Sequence, residues 1–376
     1  MRSDLGVGGL ARRLSLALAL TLALGAAAQA GAAAPPDAFY AAVNRHLVER
    51  HVLPRFDRLR GAARELRSAG GALCQAPGAG RLEDARRGFH AAMDAWMGVQ
   101  HLRFGPAELF SRADRFYFWP QARGKVGPAV EKLLAGGGIP APGRMPTASA
   151  AAQGLPALEY LLFERGAALL RADAAAKRRC ALLLAVTRNI HAIADGLAAD
   201  WAGGRVDFRR AMASPGPANL YYKTHKDAAA ALFQSLHDGL EAVAASRIRP
   251  VLGASPAAAR PRLAEQRASG RSTRNIVSGL QALAAMYRDK DGGGFTRLVR
   301  ARGEVKLDAL MHRAFGLTIA TARSIGKPLE AAVRDETLRP RVAKLLLQVR
   351  ALKQIVRTRL ATAIGLAVGF NALDGD

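Results

Sequence analysis

The sequence predicts an all-α protein built as two linked helical bundles. Three observations carry this. Apolar residues recur at helical spacing nearly everywhere, no alternating run rich in Val, Ile and Thr marks a strand, and one Gly- and Pro-rich stretch divides the chain near its middle. The spacing is plainest at Leu183, Val186, Ile190, Ile193 and Leu197, which step by three and four. Phe89, Met93, Trp96 and Gln100 repeat it, as do Leu345, Val349, Leu352 and Val356.

In chain order, residues 1–30 read as a secretory signal. Arg12-Arg13 ends a short lead, an apolar run follows over 14–28, and Ala28-Gln29-Ala30 supplies the small residues that a signal peptidase reads. The run is shorter than the roughly 20 residues a bilayer span needs. Cleavage near Ala30 is expected, with a periplasmic or secreted product. Helices are expected over 36–70, 82–103, 125–136, 148–166, 173–202, 217–246, 272–289, 293–326 and 339–366. Breaks such as Gly136-Gly137-Gly138, Ser214-Pro215-Gly216-Pro217 and Gly292-Gly293-Gly294 separate them. Pro54 and Pro156 fall inside helical patterns and are expected to kink or break them. Taking 203–217 as the linker gives an N-terminal bundle over 31–205 and a C-terminal bundle over 206–376.

Half of the 376 residues are hydrophobic, which excludes a disordered or fibrous chain. Lys and Arg number 55 against 30 Asp and Glu, a formal charge of +25. The basic residues are spread along the chain, with no dense basic block and no RNA-binding or zinc-finger signature, so nucleic acid is not an expected partner. For an exported protein the relevant anions are lipid head groups, cell-wall polymers and acidic proteins or ligands. Two cysteines, Cys74 and Cys180, are too few for a disulfide scaffold or a four-cysteine zinc site. In an oxidising compartment they are expected to pair with each other rather than stay as separate buried thiols.

Conventional catalytic signatures are missing: no HExxH helix, no GxSxG elbow, no P-loop, no EF-hand, no CxxCH haem attachment and no paired Glu-x-x-His elements. His46 with Glu49, and His237 with Glu241, have the spacing to share a helical face, a pattern more often made by solvated ion pairs than by metal sites. The densest unusual cluster lies between 96 and 123. Trp96, His101, Arg103, Phe104, Gly105 and Pro106 end the second helix, and Arg115-Phe116-Tyr117-Phe118-Trp119-Pro120 follows, closed by Arg123-Gly124. Trp and Arg make anchors in pockets and stack on planar or anionic ligands. An interhelix crossover packed by its own aromatics reads the same way. Downstream, Gly154-Leu155-Pro156-Ala157-Leu158-Glu159-Tyr160-Leu161-Leu162-Phe163 sets one carboxylate among apolar neighbours. If buried, Glu159 needs a partner, with Arg103, Arg115 and Arg123 as candidates; the alternative is exposure at the helix edge.

These segments, with Arg271-Ser272-Thr273-Arg274-Asn275 and the tail over 369–376, resemble the imelysin family of exported bacterial proteins, first assigned as metallopeptidases. The family motif is Gly-x-His-x-x-Glu. Gly154 and Glu159 match it, and Pro156 stands at the histidine position. Proline offers no lone pair to a metal, and one carboxylate is a poor site for a transition ion.

The resemblance implies two helical bundles and a non-catalytic binding protein of the cell envelope connected with iron or haem acquisition. Its partners would be a small or acidic ligand of iron-bearing chemistry and a membrane uptake component; iron or another metal is the cofactor to consider. The expected pocket lies between the bundles, with Trp96 and Trp119 as walls and Arg103 and Arg115 as donors. Glu159, His101, Arg271, Ser272 and Asn275 complete the candidate ligand-binding set. Two rivals remain: a metallopeptidase-like hydrolase using Glu159 with His101 or His46, and a structural envelope protein held to anionic surfaces by charge.

Overall fold

The computed structural model describes residues 36–120, 124–136, 139–140 and 143–369. The signal segment and its cleavage point, Arg123 and the tail beyond 369 lie outside them. Among the described residues every regular element is helical.

The first helix, α1 (Asp37–Leu47), runs through a wide i→i+5 turn at Val48–Val52 into α2 (Leu53–Gln75). Pro54 therefore neither breaks nor ends the helix. It sits in the first turn after the wide turn, where its missing N–H removes little. A sharp bend at Ala76 leads into α3 (Ala79–Met97). Among its described residues the crossover from 98 to 125 holds only short turns and α4 (Arg112–Phe116), before α5 (Val126–Ala135). Then come α6 (Gly154–Glu159), extended by a wide turn at Tyr160–Glu164, and the long α7 (Ala174–Ala202).

Helix α7 is long and apolar enough to cross a membrane, yet 56% of its apolar window is buried in protein, as for a core helix. Its stripe Leu183, Val186, Ile190, Ile193 and Leu197 is buried throughout, as the spacing predicts. Helix α2 packs along both α3 and α7. Cys74 at the end of α2 is disulfide-bonded to Cys180 at the start of α7, with Cα atoms 5.5 Å apart.

Short α8 (Phe208–Ala213) follows. Next, α9 (His225–Glu241) opens with a reciprocal cap, in which the Thr224 hydroxyl accepts from the Asp227 N–H and the Asp227 carboxylate accepts from the Thr224 N–H. A wide turn at Ala242–Ile248 carries it into α10 (Arg249–Leu252). The remaining helices are α11 (Ser272–Tyr287), α12 (Thr296–Ala301), α13 (Val305–Ser324), α14 (Leu329–Ala332) and α15 (Arg339–Ile355). A wide turn at Val356–Leu360 leads from α15 to α16 (Ala361–Ile364).

Helix α13 packs on α11 and α15, giving the later helices their own layer. The boundary expected near 205 falls in the turn between α7 and α8. Packing nevertheless continues across it, because α1 lies along α9 and α3 lies along α11. Residues 36–376 cluster as one unit.

Candidate functional site

The crossover and the Gly154 segment meet through one glycine. Gly154 has φ +70, and a Cβ there would stand 2.2 Å from the Phe116 carbonyl oxygen and 2.6 Å from that of Arg115. Only glycine allows both that conformation and that approach. The aromatic run is thereby clamped to the start of α6. Pro156 lies in the first turn of α6, so it frees no interior carbonyl and makes no kink, contrary to the sequence expectation.

At the end of α6, Glu159 is 9% exposed. Its Oε1 accepts from the backbone N–H of Ser269 at 2.8 Å and from the Ser269 hydroxyl at 2.7 Å. With its amide nitrogen turned toward the carboxylate, Gln266 donates to both oxygens, at 3.2 and 2.8 Å. Burial outweighs these donors and pushes the Glu159 carboxyl up to about 7. Of the arginines expected to pair with it, Arg103 and Arg115 go elsewhere. Arg103 is exposed and pairs with Asp114, and Arg115 donates to Gln153 and Asn189.

Trp119 stands over a second buried cluster. The Arg247 guanidinium lies 4.7 Å from its ring and is only 2% exposed. Arg247 donates to Glu265 at 2.9 and 3.0 Å and to Gln100 at 2.6 Å. Glu265 also accepts from the Tyr117 hydroxyl at 2.8 Å and the Asn275 amide at 3.1 Å. Burial and the neighbouring Glu265 raise the Tyr117 phenol well above its ordinary range. Arg271 extends the network, donating to Asn275 and pairing with Asp94, with His90 Nδ1 3.1 Å away.

Between these clusters lies a cleft of about 920 Å³, within the range of small-molecule sites. Trp119, Pro156, Glu159 and Tyr160 form one side, and the other comes from 245–250 and 262–268. Arg249, Arg262 and Arg267 line it with exposed side chains, and among the described residues no carboxylate pairs with them. Glu131 and Glu164 line the cleft too, and Tyr160 donates to Glu131 at 2.7 Å while accepting from Arg165 at 3.2 Å.

Of the sequence-predicted residues, Trp119 and Glu159 therefore line one cleft. Arg271 and Asn275 belong to the polar wall behind it, and Trp96 stacks on Phe116 at 4.6 Å rather than walling a pocket. Arg103 and Arg115 do not line the cleft. Ser272 is taken up by Glu330 and the Leu329 N–H.

His101 is buried with its Nε2 3.0 Å from that of His51. Burial, with Arg55 nearby, holds the His101 imidazole down to about 3 and lowers His51 well below its usual range. His46 pairs with Asp289, Glu49 with Arg209, His237 with Asp238 and Glu241 with Lys353, so neither spaced pair acts as a unit. Arg247, Glu265, Gln266, Ser269 and the three cleft arginines were not singled out by sequence. Their only signal is a dense polar run, Glu265-Gln266-Arg267, in a stretch without helical periodicity.

The family model for imelysin matches residues 52–356. The chain belongs to the imelysin family. An imelysin-like protein from Psychrobacter arcticum 273-4 shares the fold of this imelysin-family chain with a TM-score of 0.71. It is 19% identical, and the match covers 89% of this chain and 98% of that one. A protein assigned as an iron-regulated protein A precursor from Parabacteroides distasonis ATCC 8503 gives a TM-score of 0.69 at 15% identity. There the match covers 88% of this chain and 97% of the other. No curated protein matches the sequence.

The family's peptidase assignment implies a metal, and the donor set here does not fit one. Pro156 has no lone pair to offer, Glu159 is engaged by Ser269 and Gln266, and neither His46 nor His101 lines the cleft. Among the described residues no group of three or more His, Cys, Asp or Glu is placed to hold a metal ion.

Proposed function

We propose that this protein is an exported, non-catalytic ligand-binding member of the imelysin family, taking up a small acidic ligand in the cleft between Trp119, Glu159 and Arg249. The observation carrying this reading is the cleft's own chemistry. Three unpaired guanidiniums face an aromatic wall and a Glu159 carboxyl that burial brings near neutrality, while Glu131, one of the two further carboxylates on the lining, is taken up by Tyr160 and Arg179. Guanidiniums recognise carboxylate and phosphate groups by paired hydrogen bonds, and Trp119 and Tyr160 offer faces for a flat apolar body.

Export is supported by the signal-like lead over 1–30 and by the Cys74–Cys180 bond, which belongs in an oxidising compartment. The connection with iron rests on the name of the Parabacteroides relative. An anionic iron chelate delivered to a membrane uptake component suits the arginines better than a bare cation.

Native mass spectrometry of protein recovered from the exporting cell, followed by titration with ferric citrate, tests the reading. We expect a retained or titratable anion, with binding weakened about tenfold or more in Arg262→Ala/Arg267→Ala. Tightly held stoichiometric zinc that is lost in Glu159→Ala would overturn it in favour of a metallopeptidase-like hydrolase.

A further inference from the structure

A rigid loop between α8 and α9 holds an apolar tip in water. Asn219 Oδ1 accepts from the backbone N–H groups of Tyr221 (2.9 Å) and Tyr222 (3.1 Å), and its amide donates to the carbonyls of Ala211 (2.8 Å) and Ser214 (3.1 Å). The Lys223 ammonium donates to the carbonyls of Pro217 (3.0 Å) and Asn219 (2.9 Å). The Tyr221 ring packs edge-on against Phe208 of α8, with centroids 4.9 Å apart. Within this bracing Leu220 is 91% exposed, the most exposed large apolar side chain among the described residues, and Tyr221 is 45% exposed. Phe39, 44% exposed, lies on α1 beside the start of α9, where the Asp37 carboxylate accepts from the Lys226 N–H. These bonds brace the turn on both sides of Leu220, so the leucine is presented rather than left over.

The same short helix joins this tip to a basic pocket. Arg209 of α8 donates to Glu49 at 2.7 Å, and Glu49 is one wall of a pocket of about 570 Å³ with Arg45, His46, Arg50 and Arg297. Among the described residues no carboxylate pairs with Arg45, Arg50 or Arg297, nor with the exposed Arg210 and Lys226 nearby. Uncompensated guanidiniums around a pocket are a phosphate-binding chemistry. An exposed leucine and tyrosine beside them match a bilayer interface, where apolar insertion and headgroup attraction are each weak alone and add together.

We propose that this surface docks the protein on an anionic phospholipid bilayer. Leu220 and Tyr221 enter the interface, and Arg45, Arg50 and Arg297 receive headgroup phosphates. Flotation of protein recovered from the exporting cell with phosphatidylglycerol–phosphatidylcholine vesicles, compared with phosphatidylcholine alone, is the test. The protein should float with the anionic vesicles, and association should fall as salt rises. Leu220→Ser and the triple variant Arg45→Gln/Arg50→Gln/Arg297→Gln should each bind about tenfold more weakly. All four side chains are exposed or rim the pocket, so unchanged circular dichroism is expected in both variants.

Failure to float with anionic vesicles, or equal binding to both compositions, would overturn the proposal. So would Leu220→Ser binding like the wild type, which leaves only general charge attraction. Competition by inorganic phosphate without any effect of Leu220→Ser would reassign the pocket to free phosphate and equally sink it.

Discussion

A carboxyl ordinarily loses its proton near 4.5, and inside this cleft Glu159 holds it to about 7. The native state therefore binds a proton that the unfolded chain has already released over that interval. Stability contributed by the neutral group is complete below about pH 4.5, falls as pH rises toward 7, and stays low above it. Glu159→Gln has no proton to lose, so its unfolding midpoint in urea should lack that slope. Above pH 8 it should exceed the wild type by up to about 3 kcal/mol. Buried His51 and His101, held neutral in the fold, contribute the opposite slope up to about pH 6.5, so the decisive quantity is the difference between wild type and Glu159→Gln; a difference that stays constant between pH 4.5 and 7 would show that the carboxyl is not held as described. Gly154→Ala should act in the opposite direction. It places a methyl group against the Phe116 carbonyl at a positive φ, and should cost about 2–4 kcal/mol in the same assay. The sequence made Gly154 and Glu159 visible as motif members, and it made Trp119 visible as a rare residue type. It could not show that Ser269 and Gln266, 110 and 107 positions away from Glu159, would be its partners rather than the nearer arginines. Charge pairing ignores chain distance, and here no cation reaches the carboxyl: the donors from Ser269 favour its ionised form, and burial outweighs them.

Helices are where the sequence was most legible, because the 3.6-residue period is written directly in the apolar positions. The stripe on α7 is buried as its spacing demands, as are Phe89, Met93 and Trp96 on α3 and Leu345, Val349 and Leu352 on α15, while Gln100 falls beyond α3 and is only partly buried. What periodicity cannot show is the wide turn, which inserts one residue and rotates the face beyond it. Two of the four wide turns among the described residues fall where the candidate site needs them, at Tyr160–Glu164 and at Ala242–Ile248, bringing Tyr160 and Arg247 to the cleft and its wall. Pro156 was misread for a related reason: it lies in a first turn, where the missing N–H has no partner to lose, whereas Pro54 follows directly on the wide turn at Val48–Val52, where the regular ladder is already interrupted. The cysteines were readable because only one pairing exists. Their bond joins the end of α2 to the start of α7 across 106 residues. Cys74→Ser/Cys180→Ser should lose about 4–5 kcal/mol against denaturant in the loop-closure account, and the wild type should fall to the same value when reduced. A loss confined to a few tenths would mean that the α2–α7 contact already restricts the unfolded chain.

For the whole molecule, the question is whether the two groups of helices behave as one body. Their joint is polar as well as apolar. Arg247 after α9 reaches Gln100 from the first half and Glu265 from the second, while Tyr117 of the crossover donates to the same Glu265 and Asp94 of α3 pairs with Arg271. Each of these groups is costly to strand, because a buried ion that loses its partner keeps its desolvation penalty without its attraction. Arg247→Ala should therefore lower stability by about 3–5 kcal/mol and loosen Trp119, which loses the cation beneath its ring. Arg247→Met/Glu265→Leu removes both charges and should recover much of that loss, although Tyr117 then needs a new acceptor. Because the network spans both halves, tryptophan fluorescence and far-ultraviolet circular dichroism should trace a single coincident transition in wild type and in Arg247→Ala. If the halves are instead independent bundles meeting only across the cleft, Arg247→Ala should split the curve into two transitions. Ligand in the cleft would then shift the midpoint of one half far more than the other.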